Sequence, residues 1–115
     1  MKMSLQDEQR EFLKDIVKLI NFAELSEIEL TGGELYRTIE QQEIYFKNGK
    51  SNTMDSNHLK RLAIDFNFFI YGQLTYEFEK VKPLGDYWES LNIKNRWGGY
   101  FTHPKTDTPH FERNI

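Results

Sequence analysis

The sequence contains no cysteine, only three prolines, and no apolar run long enough to cross a bilayer. Without thiols there are no disulfides and no thiolate zinc sites, although the compartment stays open. A block of Lys or Arg is missing too: 15 basic residues face 18 acidic ones, for a net charge of −3. A nucleic-acid partner needs a basic footprint, so that class is excluded. The same balance gives no long-range attraction to an anionic surface, and any such ligand must be captured by local contacts. The first ten residues, Met1 to Arg10, are too charged to lead into the apolar core of a signal peptide. No internal repeat, linker or low-complexity tract divides the chain.

What is present is a packable chain of 115 residues, 38% hydrophobic and 15% aromatic, enough for one domain with a single modest core. Ser4 with Asp7 forms a weak capping box. Leu5, Phe12, Leu13, Ile16, Leu19, Ile20 and Ala23 then recur at helical spacing, with Lys14, Asp15 and Lys18 on the other side, which predicts a core-packed helix over 5–24. Alternation over Glu27–Thr31 predicts a short strand ended by Gly32-Gly33. Thr38 with Gln41 caps a helix over 39–48, and Gly49 suits its C′ position. Arg37 therefore sits where the chain leaves a strand for a helix, a good place to aim a guanidinium into a cleft. Residues 50–57 form a polar loop. Leu62, Ile64, Phe66, Phe68 and Ile70 alternate as a strand with one buried face, and Tyr71-Gly72 turns the chain. The run Leu74–Lys82 is ambiguous. Pro83 suits the first position of a helix over 84–92 carrying Leu84, Tyr87, Trp88 and Leu91 on one face. Trp97-Gly98-Gly99-Tyr100-Phe101 reads as strand or strand entry, its glycines admitting another backbone or a ligand. Trp88, Trp97 and Tyr100 are assigned to the core rather than to stacking on a glycan.

The chemistry concentrates at His58 and Asp65, seven positions apart. Fully extended, that separation spans roughly 23 Å at about 3.3 Å per residue. Both side chains serve one site only if the chain turns back, and Leu59-Lys60-Arg61 is where the turn is expected. Asp65 points away from the apolar face, with Ala63 and Asn67. A third donor lies near the C-terminus in Asp107-Thr108-Pro109-His110-Phe111-Glu112. Two imidazoles and a carboxylate suit zinc with one position left open, the catalytic rather than the structural arrangement. Spacing alone does not separate this from ordinary surface histidines.

Three stretches carry a resemblance. Ser56-Asn57-His58 followed by Ile64-Asp65 resembles the signature of the zinc D-Ala-D-Ala carboxypeptidase and L-alanyl-D-glutamate endopeptidase family. Trp97-Gly98-Gly99-Tyr100, then Asp107, His110, Phe111 and Glu112, is similar to its phage endolysin branch. Gly33 to Thr38, with Gln41 or Gln42, resembles its Tyr-Arg-Ser/Thr…Gln segment. The resemblance covers roughly residues 30–113. It implies an α+β domain of the D-Ala-D-Ala carboxypeptidase or hedgehog-like type, a small antiparallel sheet carrying a zinc site with helices on the other face. It further implies zinc on His58, Asp65 and His110, Asp107 as general base and acid, Arg37 on an oxyanion or substrate carboxylate, and Ser56 at the substrate or in shaping its loop. His103 matches no motif residue and is read as a bystander.

The implied function is a peptidoglycan stem-peptide hydrolase, cutting between L-Ala and D-Glu as phage or prophage endolysins do. Removal of a terminal D-Ala is the alternative. The expected protein is a monomeric single catalytic domain over 1–115 without a wall-binding domain, with no nucleic-acid partner and no membrane insertion. Lacking a secretion signal, it would wait in the host cytoplasm before acting on the cell wall. One departure stands out: the family has Gly three residues after the first His, and this chain has Arg61. That position favours a second class of reading, a binding module without turnover on the same fold.

Overall fold

The computed structural model describes residues 2–50 and 56–115, so most of the expected polar loop at 50–57 lies outside the described residues. Helix α1 (Leu5–Leu25) opens on the reciprocal Ser4–Asp7 capping box. Strand β1 (Glu29–Gly32) follows, then α2 (Ile39–Lys47), a 3-10 turn at Asn57–Lys60, β2 (Ala63–Ile70), β3 (Gln73–Thr75), α3 (Phe78–Leu91), β4 (Asn95–Trp97), a 3-10 turn at Gly98–Tyr100, and β5 (His110–Arg113). The strands form one five-stranded sheet in the order β1-β2-β5-β4, with β3 also on β2. Every pairing is antiparallel.

The core lies between one face of this sheet and the helices α1 and α3. Phe12, Ile16, Leu19 and Ala23 of α1 meet Val81, Leu84 and Trp88 of α3 and Leu62, Phe66, Phe68, Trp97 and Phe111 from the sheet side. Burying such side chains contributes about 1.5–3 kcal/mol each as an upper figure. The buried stripe of α1 is narrower than its apolar pattern implies. Leu5, Leu13 and Ile20 are exposed, while Glu8 and Asp15 are buried on the core side. Asp15, expected on the solvent face, accepts from Asn95 Nδ2 at 3.0 Å, and Glu8 pairs with Lys94 and with the buried Arg113. The two acids are accommodated on the core side because their partners lie on β4, β5 and the turn between α3 and β4.

The other departure is at α3, which starts at Phe78 and runs through Pro83 instead of beginning beside it. An interior proline gives up one helix hydrogen bond and strains the preceding turn, costing about 3 kcal/mol. Val81, Leu84 and Trp88, all essentially inaccessible to solvent, offset that cost. Local propensity pointed to a helix start; tertiary packing extends the helix backward. Helix α2 does not join the core. Only Gln42 of it is buried, held against Arg37, while Ile39, Ile44 and Phe46 are exposed. Trp88 and Trp97 are core residues as expected, whereas Tyr100 is 45% exposed and is tied through its hydroxyl to Asp86. Among the described residues no helix is long and apolar enough to cross a membrane.

Candidate active site

Three local devices bring His58, Asp65 and His110 together. Ser56 caps the Asn57–Lys60 turn, its Oγ accepting from the His58 N–H at 3.2 Å. Arg61 then reverses the chain with φ 56° and ψ 38°, and Leu62 N–H closes on Asn57 O at 3.0 Å. The turn expected at Leu59–Arg61 is thus present, in the left-handed conformation that favours glycine. Arginine occupies it with its guanidinium over the Tyr36 ring, 4.1 Å from the centroid. A cation–π contact of about 0.5–1 kcal/mol offsets much of the backbone cost. The third device is register: Asp65 and His110 are direct partners across β2 and β5, so strand pairing alone sets them side by side.

One oxygen of Asp65, Oδ1, faces both rings, 3.5 Å from His58 Nε2 and 3.2 Å from His110 Nδ1. The ring centroids are 5.1 Å apart, and one ligand atom from each of the three residues lies within 4.8 Å of the others. The remaining nitrogens are committed elsewhere. His58 Nδ1 lies 3.0 Å from Leu35 O, and His110 Nε2 lies 2.7 Å from Glu112 Oε1. Since a carbonyl and an ionised carboxylate only accept, each of those nitrogens carries a proton. His58 Nε2 and His110 Nδ1 are then left to face Asp65. Metal-binding imidazoles are oriented in this way in general, by a hydrogen bond on the opposite nitrogen. The donor set and its outer contacts fit a divalent ion of borderline softness.

The electrostatics follow from the same contacts. Burial alone would raise Glu112, but hydrogen bonding with His110, then Arg96, brings it down to about 2. Arg96 donates to Glu112 Oε2 at 2.8 Å from Nε and stacks over Phe101. For Asp65, burial again pushes up, and the two imidazoles overcome it, holding the carboxyl well below the usual range. Burial would lower His110, yet Asp65 and Glu112 on either side raise it to about 9. Asp107 behaves oppositely: it stands exposed at the rim, but crowding in the cleft raises its carboxyl, with His110 opposing and Asp65 adding to the rise.

A pH profile of the metal-free protein follows. His110, raised from 6.5 to about 9, adds stability that is complete below 6.5 and lost as pH climbs through 9. Glu112, lowered from 4.5 to about 2, adds stability that is present above 4.5 and lost as pH falls toward 2. Urea midpoints after chelation should therefore peak between 4.5 and 6.5 and fall on both sides. A metal that needs neutral imidazole should raise the alkaline side selectively. A flat alkaline profile without metal would remove His110 from this network.

The acid-base candidate is placed by its backbone. Asp107 N–H donates to Gly98 O at 2.9 Å, and His110 N–H donates to Asp107 O at 3.1 Å, a tight turn that aims Asp107 into the same cleft as His110. The turn is fixed by Trp97 Nε1 to Thr108 O at 2.8 Å and Phe66 N–H to Pro109 O at 3.0 Å. Here the glycines of the Trp97-Gly98-Gly99 motif are explained by close approach. A Cβ on Gly98 would lie 2.2 Å from Asp107 O, and one on Gly99 2.2 Å from the Trp97 ring. It is backbone and indole that come close, with no ligand needed.

Arg37 lines the same cleft of about 600 Å³ together with Ser56, His58, Asp107 and His110. Its guanidinium is held by Glu34, by Gln42 Oε1 at 2.6 Å and by Ser56 Oγ at 3.4 Å, and it lies over Tyr45. Gln42, fully buried, rather than Gln41 is the glutamine that meets Arg37. His103 is exposed and stands outside the His58–Asp65–His110 group. Glu34 and the outer pair Glu112–Arg96 had been given no role by the sequence. Period-two alternation on β5 puts residues 110 and 112 on one face and could have exposed Glu112; Glu34 carries no such signal.

The fold and the site together define a class: a small antiparallel α+β domain with a buried imidazole–carboxylate–imidazole group that could hold a metal, and a carboxylate at the rim. Residues 2–114 match the family described as phage L-alanyl-D-glutamate peptidase, and the chain belongs to that family. Among solved structures, the L-Ala D-Glu endopeptidase ChiX of Serratia marcescens is similar, with a TM-score of 0.70 and 23% identity, over 95% of this chain and 85% of that one. At that identity the likeness concerns the fold. No curated protein matches the sequence.

Proposed function

We propose that this chain is a zinc-dependent L-alanyl-D-glutamate endopeptidase of phage endolysin type, acting as one catalytic domain on the stem peptide of peptidoglycan. The observation that carries the reading is the convergence of His58, Asp65 and His110 beside Asp107 in a member of that peptidase family. His58 through Nε2, Asp65, and His110 through Nδ1 would hold the zinc. Zinc bound there supplies Lewis-acid polarisation of a carbonyl and a lowered pKa for water.

The chain's own residues do the rest. Asp107 takes the proton from the water as it attacks the L-alanyl carbonyl carbon, then returns it to the D-glutamate amine as the C–N bond breaks. Its raised pKa brings it nearer the working pH, where a group can both accept and donate. Arg37 is fixed in the cleft wall by Glu34 and Gln42 and is assigned to the developing oxyanion or a substrate carboxylate. Ser56 Oγ accepts from His58 N–H and Arg37, which leaves its O–H to donate to a peptide carbonyl. The left-handed turn at Arg61 preserves the placement of His58, so the departure at that position does not argue for a module without turnover.

The test is product analysis on purified sacculi. Turbidity should fall, with new N-terminal D-Glu and C-terminal L-Ala ends. Release of free D-Ala alone would favour the carboxypeptidase reading, and no new ends at all would favour a binding module.

A further inference from the structure

The cleft carries a charge that the chain as a whole does not. The protein is acidic, at −3, yet Arg37, Lys50, Lys60, Arg96 and Lys105 line the cleft against two carboxylates, Asp107 and Glu112, and Lys60 has a partner of its own. The two arginines are engaged, Arg37 by Glu34 and Arg96 by Glu112. Lys50 and Lys105 have no ion pair among the described residues, and each is exposed. They come from separate segments: Lys50 follows α2, with its N–H on Tyr45 O, and Lys105 sits in the β4–β5 connection, with its N–H on Thr102 O at 2.8 Å. Both lysines thus border the cleft that also holds Asp107.

A substrate cut between alanine and glutamate has a matching charge. Glutamate brings two carboxyls and only one can continue the chain, so the other lies free within one residue of the scissile bond. We propose that Lys105, with Lys50, forms an anion subsite that selects peptides whose glutamate keeps this carboxylate over those in which it is a carboxamide. The inference rests on the peptidase reading above and adds to it a specificity element outside the catalytic group. Since both ammonium groups are solvated, the selectivity is on the order of tenfold, as for one charge-assisted hydrogen bond partly exposed to water. It should shrink as salt is raised.

Two paired measurements test it. The first is kcat/KM for an L-Ala–D-Glu peptide and for its carboxamide counterpart, with the metal-loaded wild type and with Lys105→Met, Lys105→Arg and the Lys50→Met/Lys105→Met double variant. The second is calorimetric affinity for a D-glutamyl-alanine peptide, which lacks the L-Ala–D-Glu bond, and for its carboxamide. Wild type should prefer the acid in both. Lys105→Met should lose rate and affinity on the acid alone, Lys105→Arg should restore them, and metal content should stay constant. An acid preference in binding that the double variant abolishes supports the subsite even if neither peptide is cleaved, an outcome that would sink the peptidase reading instead. Acid and amide bound alike by wild type, or a preference that survives in the double variant, would overturn the subsite.

Discussion

Asp107→Asn is expected to leave fold and metal content at wild-type levels and to reduce hydrolysis by about 10²–10⁴-fold, the usual contribution of a positioned acid-base group. The amide is nearly isosteric, and the turn that carries it depends on main-chain contacts to Gly98 and His110 that the substitution keeps. What is lost is the capacity to accept a proton. The check is a steady-state rate alongside metal analysis and a melting curve. Activity within a few fold of wild type would remove Asp107 from the role. A fall in metal content would instead mean that this carboxylate helps to hold the ion.

The second large effect concerns His58, Asp65 and His110. Alanine at any one of them should lower zinc occupancy and melting temperature together, while His103→Ala should behave as wild type. The coupling is thermodynamic: an ion that binds only the folded chain adds about 4 kcal/mol of stability when present at a thousand times its Kd. Each ligand is also a structural partner, since Asp65 Oδ1 meets both imidazoles and His110 Nε2 meets Glu112. Chelated wild type therefore separates the two contributions. It loses the ion alone, whereas His110→Ala loses the ion and leaves Glu112 with Arg96 as its remaining partner. Full zinc occupancy in His110→Ala would end the assignment.

Much of this arrangement is legible in the sequence, for reasons that differ by element. Helix α1 is readable because Ser4, Asp7 and the Phe12–Ile16–Leu19–Ala23 stripe signal locally. The hairpin at Tyr71-Gly72 is readable as well, and both residues adopt the positive φ that such a two-residue turn demands. The start of α3 is not, because a proline speaks only for its own turn, while the burial of Val81, Leu84 and Trp88 and the packing of Phe78 on Trp97 extend the helix backward. Buried Asp15 was misplaced for a similar reason: its partner Asn95 is 80 residues away. At the site, identities came from resemblance and the turn from a distance argument. What could not be read was the supporting layer. Glu34, Leu35 O and Glu112 fix the tautomers and the guanidinium, and they act through contacts that only the strand register and loop path create.

The packing around Trp97 carries one more implication, which concerns how such enzymes can diversify. Its indole is clamped between Gly99 and Gly85 of α3, where an added Cβ would lie 2.1 Å from the ring. The same indole holds the carbonyl of Thr108, one residue after Asp107. Asp107, the proposed acid-base residue, is thus tied to the hydrophobic core in part through one aromatic plate, and helix α3 has a share in aiming it. Drift at Gly85 would misalign chemistry without touching the cleft, whereas Lys50 and Lys105 are free to vary without disturbing that plate. If the rim lysines read the glutamate carboxylate as proposed, a changed preference between acid and carboxamide is open to lineages through them, while the Gly85–Trp97–Gly99 stack stays closed to change. A library built for altered wall specificity should sample the first and freeze the second.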